Sequence, residues 1–144
     1  MRVLTVCLGN ICRSPAAEAV LRKLAPDWQI DSAGTSDWHI GDPPYGPMQQ
    51  AGAARGYDLS PLRARQFDQN DFDRFDLILV MDADNLAKVE RLRPSGSQTP
   101  VTLLTDYAAG PEDHVPDPYY TRDFDGALDL IEDCAARLID QLAQ

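Results

Sequence analysis

Residues 7–14 constrain the fold more than any other part of the chain. Their sequence is Cys-Leu-Gly-Asn-Ile-Cys-Arg-Ser, and they lie between the mostly apolar run 3–6 and a helical pattern that opens at Pro15. This order predicts a strand, a tight loop and a helix. A loop in that position directs several backbone N–H groups inward, with the positive end of the helix dipole behind them. The segment, called the anion loop below, therefore predicts a site for a phosphoryl group.

The side chains of the anion loop suit phosphoryl chemistry. Gly9 and Asn10 tolerate the positive φ that such a loop needs. Arg13 carries a planar fork of donors that matches two phosphate oxygens. The inward N–H groups and Arg13 favour the thiolate form of Cys7, which makes it a nucleophile. Alternatively, Cys7 is only a small apolar residue at the end of a buried strand, but its combination with Arg13 and Ser14 in one turn favours catalysis.

Composition limits the architecture and the partners. A chain of 144 residues predicts one domain, residues 1–144. A formal net charge of −10 argues against nucleic acid and anionic membrane surfaces as partners, since both require a basic face. Because we find neither a signal peptide pattern at the N-terminus nor an apolar run of membrane-spanning length, we predict a cytoplasmic protein.

The cysteines indicate neither a disulfide framework nor a metal site. There are three of them, at positions 7, 12 and 134, without the paired spacing of zinc ligands. We therefore predict no metal and no organic cofactor, and a reducing compartment suits a thiolate nucleophile.

Apolar runs alternate with amphipathic segments along the chain. The predicted strands are residues 2–6, 28–33, 75–81 and 101–104. The predicted helices run from Pro15 to the break before Pro26, and over 48–55, 83–92 and 123–143. Residues 57–74 and 105–122 are predicted as turns and loops. The alternation predicts an α/β domain with a parallel sheet, helices on both faces and right-handed crossovers.

Many short segments along the chain resemble the sequences of one protein family. The sequence from Cys7 to Pro15, with residues 18–20 and 22–24 after it, looks like the signature of the low-molecular-weight protein tyrosine phosphatases. Similar stretches occur at 31–32, 36–38, 64–66, 75–76, 81–82 and 117–120. The resemblance implies a flavodoxin-like fold with four parallel strands in the order 2-1-3-4.

The resemblance also implies roles for individual residues. Cys7 would be the nucleophile, Arg13 the phosphate clamp, Asp117 the general acid and Ser14 the group that stabilises the returning thiolate. The predicted substrate-binding residues are Leu8, Gly9, Asn10, Ile11, Cys12, Trp38, Tyr119 and Tyr120, and the supporting residues are Ser32 and Asp82. Without the resemblance, an Asp-Pro pair in a loop is an ordinary turn.

Other positions admit two interpretations. Asp82 could be only the N-cap of the next helix, or it could also orient Arg13 as the family's Asp does. Trp38 could anchor its loop to the core or form an apolar wall for a substrate ring, and the resemblance favours the wall. His39 is interpreted as a surface residue without a chemical role. Leu62 stands where well-known members have a His that bonds the loop Asn, which puts the rigidity of the anion loop in doubt.

The predicted activity is hydrolysis of phosphotyrosine and small aryl phosphates through a phosphocysteine intermediate. The partner would be a phosphotyrosine-containing protein, and a tyrosine kinase is a further candidate that the sequence leaves open. A monomer is predicted, with a weak dimer as the alternative. The resemblance also implies a transient Cys7–Cys12 disulfide that protects the thiolate from over-oxidation.

Three alternatives remain open. A phosphoarginine phosphatase on the same scaffold resembles the anion loop but carries Thr where this chain has Ile11. An arsenate reductase shares the fold but needs further cysteines to pass electrons from the loop, and Cys134 is the one cysteine outside the anion loop. A phosphate-binding module without catalysis would give no burst of leaving group from an aryl phosphate.

Overall fold

The computed structural model describes residues 1–143, which form a four-stranded sheet surrounded by helices. The strands are β1 (Arg2–Cys7), β2 (Gln29–Gly34), β3 (Leu77–Val80) and β4 (Val101–Leu103). All pairs are parallel and the order is β2-β1-β3-β4. The predicted fold class and strand order are therefore confirmed.

Six helices and one 3-10 turn connect and cover the strands. They are α1 (Arg13–Leu24), α2 (Gly46–Ala53), α3 (Asp71–Arg74), α4 (Ala83–Arg91), the 3-10 turn Leu104–Tyr107, α5 (Pro118–Thr121) and α6 (Phe124–Leu142). Within residues 1–143, none of these helices is both long and apolar enough to cross a membrane.

The sheet is buried on both faces. Val3 and Leu79 point into one apolar cluster, which the inner faces of α1 and α6 complete. Leu4 and Val80 point into a second cluster on the opposite face, with Phe72 of α3 and side chains of α4. Alternate residues of each strand therefore enter different clusters, as expected for parallel strands between two layers of helices. This arrangement fixes the carboxyl end of β1, where the anion loop begins, beside the carboxyl end of β3.

Several predicted boundaries are wrong by one or more residues. The first helix begins at Arg13 rather than Pro15, and the third strand begins at Leu77 rather than Phe75. The second strand, predicted over 28–33, is shifted by one residue to Gln29–Gly34, because its first residue pairs with Arg2 at the start of β1. The helix predicted over 48–55 begins at Gly46 and ends at Ala53, with Pro at its first turn.

Two predicted loops contain short helices. The segment 57–74 includes α3, whose first residue, Asp71, is buried and accepts hydrogen bonds from side chains of Arg65 and Arg74. The segment 105–122 includes most of the 3-10 turn and all of α5, which Asp117 caps by accepting a hydrogen bond from the Tyr119 N–H. Tertiary ion pairs and caps stabilise these elements, so a search for helical periodicity misses them.

Candidate active site

The anion loop bends sharply at the carboxyl end of β1. Asn10 has a φ of 57°, so it takes the left-handed conformation, whereas Gly9 does not. The expectation of positive φ is therefore right for Asn10 and wrong for Gly9. Gly34 of β2 lies against the loop, because a Cβ there would stand 2.8 Å from the Leu8 carbonyl oxygen. The absence of a side chain at Gly34 thus allows the close approach that packs the loop onto the sheet.

The sulfur of Cys7 is surrounded by hydrogen-bonding groups. Cys7 is 3% exposed. The Asn10 backbone N–H donates to Sγ at 3.3 Å, and the Ser14 Oγ lies 3.0 Å from Sγ. The Asn10 side-chain amide donates to Ser14 Oγ at 2.8 Å, and the Ser14 hydroxyl has two neighbouring acceptors for its own proton, the Cys7 sulfur and the Ala33 carbonyl oxygen at 3.4 Å. The Asn10 N–H and the Ser14 hydroxyl therefore contact the sulfur from two sides.

A buried polar chain continues behind Asn10. Its amide also donates to the Ser32 hydroxyl oxygen at 3.0 Å, and Ser32 donates to Glu18 Oε1 at 2.6 Å. On the other side, the backbone N–H of Arg65 donates to Asn10 Oδ1 at 3.0 Å. Every polar atom of the Asn10 amide group therefore has a partner.

Glu18 and Arg65 hold the loop where the family resemblance led us to look for a His. Leu62, at that position, packs against the apolar core instead. The Glu18 side chain is 2% exposed and pairs with Arg22 Nη2 at 2.7 Å. Burial raises the pKa of Glu18, against the opposing effect of the Ser32 and Arg22 hydrogen bonds. The anion loop is thus supported through a carboxylate and a backbone amide rather than through an imidazole.

The guanidinium of Arg13 is fixed from two other parts of the chain. Arg13 is 4% exposed, and its Nη1 donates to Asp82 Oδ2 at 2.8 Å and to the Val115 carbonyl oxygen at 3.0 Å. Burial acts to lower the pKa of Arg13, but the charge of Cys7 and the hydrogen bond to Asp82 outweigh it and raise the pKa. Arg13 therefore remains a cation beside the sulfur.

Asp82 fulfils both of the interpretations given to it. Its Oδ1 accepts a hydrogen bond from the Asn85 N–H at 2.8 Å and caps α4, while its Oδ2 accepts from Arg13. Burial opposes ionisation, but the Asn85 and Arg13 hydrogen bonds prevail and lower the pKa of Asp82. The same carboxylate thus starts a helix and orients the guanidinium.

Asp117 enters the site from the loop before α5. Its Oδ1 accepts a hydrogen bond from the Tyr119 N–H at 3.1 Å, and its Oδ2 lies 3.5 Å from Arg13 Nη2. The cap fixes one carboxylate oxygen and leaves the other directed at the guanidinium side. Asp117 therefore lies at the wall of the same cavity as Cys7.

A cavity of about 160 Å³ joins these groups. Its lining residues are Cys7, Leu8, Gly9, Ile11, Cys12, Arg13, Trp38, His39, Asp117, Tyr119 and Tyr120. Trp38 is 67% exposed, which suits the wall of a cavity mouth and not an anchor in the core. An aromatic mouth above a buried thiol and guanidinium fits an aryl group whose phosphate reaches the bottom.

Four predicted residues lie behind the cavity wall. Asn10, Ser14, Ser32 and Asp82 are absent from the lining. Asn10 and Ser14 contact Cys7, Asp82 contacts Arg13, and Ser32 acts one step further back, through Asn10. Among residues 1–143, no three His, Cys, Asp or Glu side chains come together in a group that could hold a metal ion.

His39, interpreted from the sequence as a surface residue without a chemical role, lines the cavity in the structure. Its ring packs against the anion loop at Gly9, where a side-chain Cβ would stand only 3.2 Å from the His39 Cδ2. Its Nδ1 lies 3.2 Å from Asp42 Oδ2. Its place beside Trp38 in the sequence was the available signal. His39 therefore shares the cavity wall with the aromatic residues.

The sequence and the fold are similar to those of known phosphatases. The family model of the low molecular weight phosphotyrosine protein phosphatases matches residues 2–144. The human low molecular weight phosphotyrosine protein phosphatase is 43% identical over 131 residues, covering 85% of this chain and 82% of the human protein.

Two solved structures have nearly the same fold. A protein tyrosine phosphatase from Entamoeba histolytica, with Hepes in its active site, superposes with a TM-score of 0.93 at 36% identity, over 99% of this chain and 97% of that one. A structure described as a Drosophila arginine phosphatase gives a TM-score of 0.92 at 32% identity, over 100% and 99% of the two chains. On these matches, the chain belongs to the low molecular weight phosphotyrosine protein phosphatase family.

Proposed function

We propose that this protein hydrolyses phosphotyrosine in proteins, and small aryl phosphates, through a phosphocysteine intermediate. The observation that carries the proposal is the meeting of a hydrogen-bonded Cys7 sulfur, the Arg13 guanidinium and the Asp117 carboxylate at one cavity. These are a nucleophile, a clamp for equatorial oxygens and a proton donor, which together suffice for in-line phosphoryl transfer.

The proposed first step transfers the phosphoryl group to sulfur. The Cys7 thiolate attacks phosphorus while Arg13 and the loop amides, from Leu8 to Cys12, bind the equatorial oxygens. The bond between phosphorus and the aryl oxygen breaks, and Asp117 gives its proton to that oxygen, so that a neutral phenol leaves.

The proposed second step releases inorganic phosphate. Asp117, now a carboxylate, takes a proton from a water molecule that attacks phosphorus on the side the phenol has left. The bond between sulfur and phosphorus breaks, and the Ser14 hydroxyl stabilises the returning thiolate of Cys7. The cycle requires no metal and no organic cofactor.

The cavity mouth supports phosphotyrosine over shorter phosphoamino acids. Trp38, Tyr119 and Tyr120 would flank the substrate ring. A phosphoserine side chain lacks the ring that spans the distance from the mouth to the sulfur. Phosphoarginine is the second candidate, because one structure of nearly the same fold is described as an arginine phosphatase. Ile11 in the cavity wall favours a flat apolar ring over a guanidinium.

Hydrolysis of phosphotyrosine and phosphoarginine peptides, measured side by side, tests this proposal. Each reaction is run with and without a thiol reductant and with a metal chelator. Release from phosphotyrosine alone, dependent on reductant, is the expected result. A preference for phosphoarginine would overturn the choice of substrate. If neither peptide is hydrolysed and an aryl phosphate gives no burst of leaving group, the protein would instead be a phosphate-binding module.

Other predictions accompany this activity. We propose that residues 1–144 act as one catalytic unit and that the protein is a cytoplasmic monomer, with a weak dimer as the alternative. Its partner would be a phosphotyrosine-containing protein, with a tyrosine kinase among the candidates. Analytical ultracentrifugation of the intact chain measures the oligomeric state.

A further inference from the structure

Arg122 links the segment that bears Asp117 to the anion loop through Tyr45. It follows α5 directly, and its Nη1 donates to the Tyr45 hydroxyl at 3.0 Å and to the Tyr119 carbonyl oxygen at 3.2 Å. The backbone N–H of Tyr45 in turn donates to the Ile11 carbonyl oxygen of the anion loop at 2.8 Å. Two hydrogen bonds therefore connect the end of α5 to the anion loop.

Aromatic rings surround the guanidinium of Arg122. Its Cζ lies 5.3 Å from the centre of the Tyr45 ring and 5.2 Å from that of Phe124. The rings of Tyr45 and Tyr119 are 5.1 Å apart. A planar guanidinium can stack on such rings while it donates sideways, whereas an ammonium group cannot do both.

The backbone of Arg122 adopts a left-handed conformation, which residues other than Gly, Asn and Asp rarely adopt. Its φ is 64°, in the left-handed region, which costs conformational free energy for any residue with a Cβ. Its N–H donates to the Pro118 carbonyl oxygen at 2.9 Å and ends α5 there. The side-chain contacts of Arg122 with Tyr45 and Phe124 offset this cost, so the turn at Arg122 and these contacts depend on each other.

The Tyr119 N–H donates to Asp117 Oδ1 at 3.1 Å, but this contact lies within α5 and does not tie the segment to the rest of the fold. The other ties lie at Val115, whose carbonyl oxygen accepts from Arg13 Nη1 at 3.0 Å, and at Arg13 itself. On the N-terminal side, the Val115 N–H donates to the Met81 carbonyl oxygen at 2.9 Å. The Asp117 carboxylate lies 3.5 Å from Arg13, which is the outer limit of a hydrogen bond. Since α5 has only four residues, its orientation depends on what holds its far end.

We propose that Arg122 and Tyr45 form a latch that positions Asp117 over the leaving-group oxygen, and that Arg122 is thus a positioning residue for proton transfer. The inference rests on the general-acid role assigned to Asp117 under the proposed function. It assigns no contact between Arg122 and the substrate.

Leaving-group dependence separates positioning of the acid from a general structural role. Phenol has a pKa of about 10, as in tyrosine, and needs a proton to leave. The anion of p-nitrophenol is a much better leaving group and needs it less. Loosening the latch should therefore lower kcat/KM for phenyl phosphate more than for p-nitrophenyl phosphate.

The experiment measures kcat/KM on both substrates for Arg122→Ala, Arg122→Lys and Tyr45→Phe. We expect Arg122→Ala to lose roughly tenfold on phenyl phosphate and less than about threefold on p-nitrophenyl phosphate, since small misplacements cost up to ~100-fold. Arg122→Lys and Tyr45→Phe should each lower kcat/KM for phenyl phosphate by less than Arg122→Ala does. Arg137→Ala, a change at an exposed arginine of α6, is the matched control and should match the unaltered protein on both substrates.

The same substitution in an Asp117→Ala background completes the test. With the acid removed, Arg122→Ala should cause no further loss that depends on the leaving group. Equal losses on the two substrates, or the same selective loss without Asp117, would overturn the latch.

Failure of the latch and failure of the acid assignment are distinguishable. If Asp117→Ala slows phenyl phosphate hydrolysis and Arg122→Ala does not, only the latch is wrong. If Asp117→Ala has no effect, the acid assignment is wrong and the latch is wrong with it. The rate at which iodoacetate alkylates Cys7 should be the same in the Arg122 variants, which shows that the anion loop is intact.

Discussion

The hydroxyl oxygen of Ser14 lies 3.0 Å from the sulfur of Cys7, at a place where both residues are buried. The Asn10 side-chain amide donates to the same hydroxyl oxygen, so the Ser14 hydroxyl accepts from Asn10 while it lies within hydrogen-bond distance of sulfur. In the proposed mechanism, a thiolate formed here would exchange bulk water for these fixed groups, which would stay in place when sulfur leaves phosphorus.

Cys7→Ser should abolish turnover and preserve phosphate binding. The serine hydroxyl does not ionise at neutral pH, while Arg13 and the loop amides still bind the anion. Hydrolysis of p-nitrophenyl phosphate and calorimetric titration with inorganic phosphate measure the two properties. Cys134→Ser, a change in the core face of α6, is the control and should keep turnover. Residual turnover in Cys7→Ser comparable to the unaltered protein would remove Cys7 from the mechanism.

Asp117→Ala should lower kcat/KM for an aryl phosphate by roughly two to four decades, the usual contribution of a general acid. The loss follows because the phenol must then leave as an anion. Asp113→Ala, at an exposed position four residues earlier in the same loop, should have little effect. Unchanged hydrolysis in Asp117→Ala would exclude it as the proton donor.

Glu18→Gln should alter the dependence of stability on pH. Burial raises the pKa of Glu18 in the folded protein above 4.5, the ordinary value for a glutamate. Between these two pKa values the folded state binds more protons than the unfolded state, so this residue's contribution to stability falls as pH rises through that window. Glutamine removes the ionisation. In urea unfolding from pH 4 to pH 8, the free energy of unfolding of Glu18→Gln should rise relative to that of the unaltered protein as pH increases. A constant difference in unfolding free energy across that range would contradict the buried titration.

Asp71→Asn should destabilise the fold by about 3 kcal/mol, as expected when one partner of a buried ion pair is removed. Asp71 is fully buried and accepts two hydrogen bonds from the Arg65 guanidinium at 3.1 Å each. Asparagine cannot accept both and leaves the Arg65 guanidinium with Asp31 as its remaining carboxylate partner. Asp73→Asn, at an exposed position of the same helix, is the control for a change of charge. Denaturant unfolding of the three proteins measures the effect, and equal midpoints would contradict it.

Cys12→Ser should prevent recovery from mild oxidation. Burial, with the nearby charge of Cys7, raises the pKa of Cys12 to about 12, so Cys12 stays a thiol and peroxide attacks Cys7 first. The sulfenic acid on Cys7 would condense with the Cys12 thiol, forming a disulfide and releasing water. After peroxide and then dithiothreitol, the unaltered protein should regain most of its own initial activity, and Cys12→Ser should regain much less. Cys134→Ser should recover like the unaltered protein. Equal recovery in all three would exclude the disulfide.

Features encoded by local sequence were predicted correctly. β1 and β3 are short, mostly apolar runs, and the anion loop contains Cys7 and Arg13 within one continuous segment. Their predicted positions needed no knowledge of distant contacts. The resemblance supplied the strand order and the positions of Asp117 and Trp38, which lie at the same cavity in the structure.

Features that depend on distant partners were not predicted. Helix α3 is stabilised by Asp71 with Arg65, and the support of Asn10 comes from Glu18 on the adjacent helix, through Ser32. Glu18 looks like an ordinary acidic residue in the sequence, because only the packing of α1 against β2 buries it. The role of Arg122 depends in the same way on Tyr45, far away in the sequence.

The anchoring of Arg13 also makes enzymatic activity a late reporter of folding. Its guanidinium is held by Asp82, which follows β3, and by the Val115 carbonyl oxygen, and both lie far from it along the chain. A folding intermediate that has formed only β1, the anion loop and α1 would contain the thiol and the arginine, yet it would lack both anchors. Recovery of activity during refolding should therefore lag behind the recovery of helix content, and the lag would measure how long the second half of the chain takes to dock.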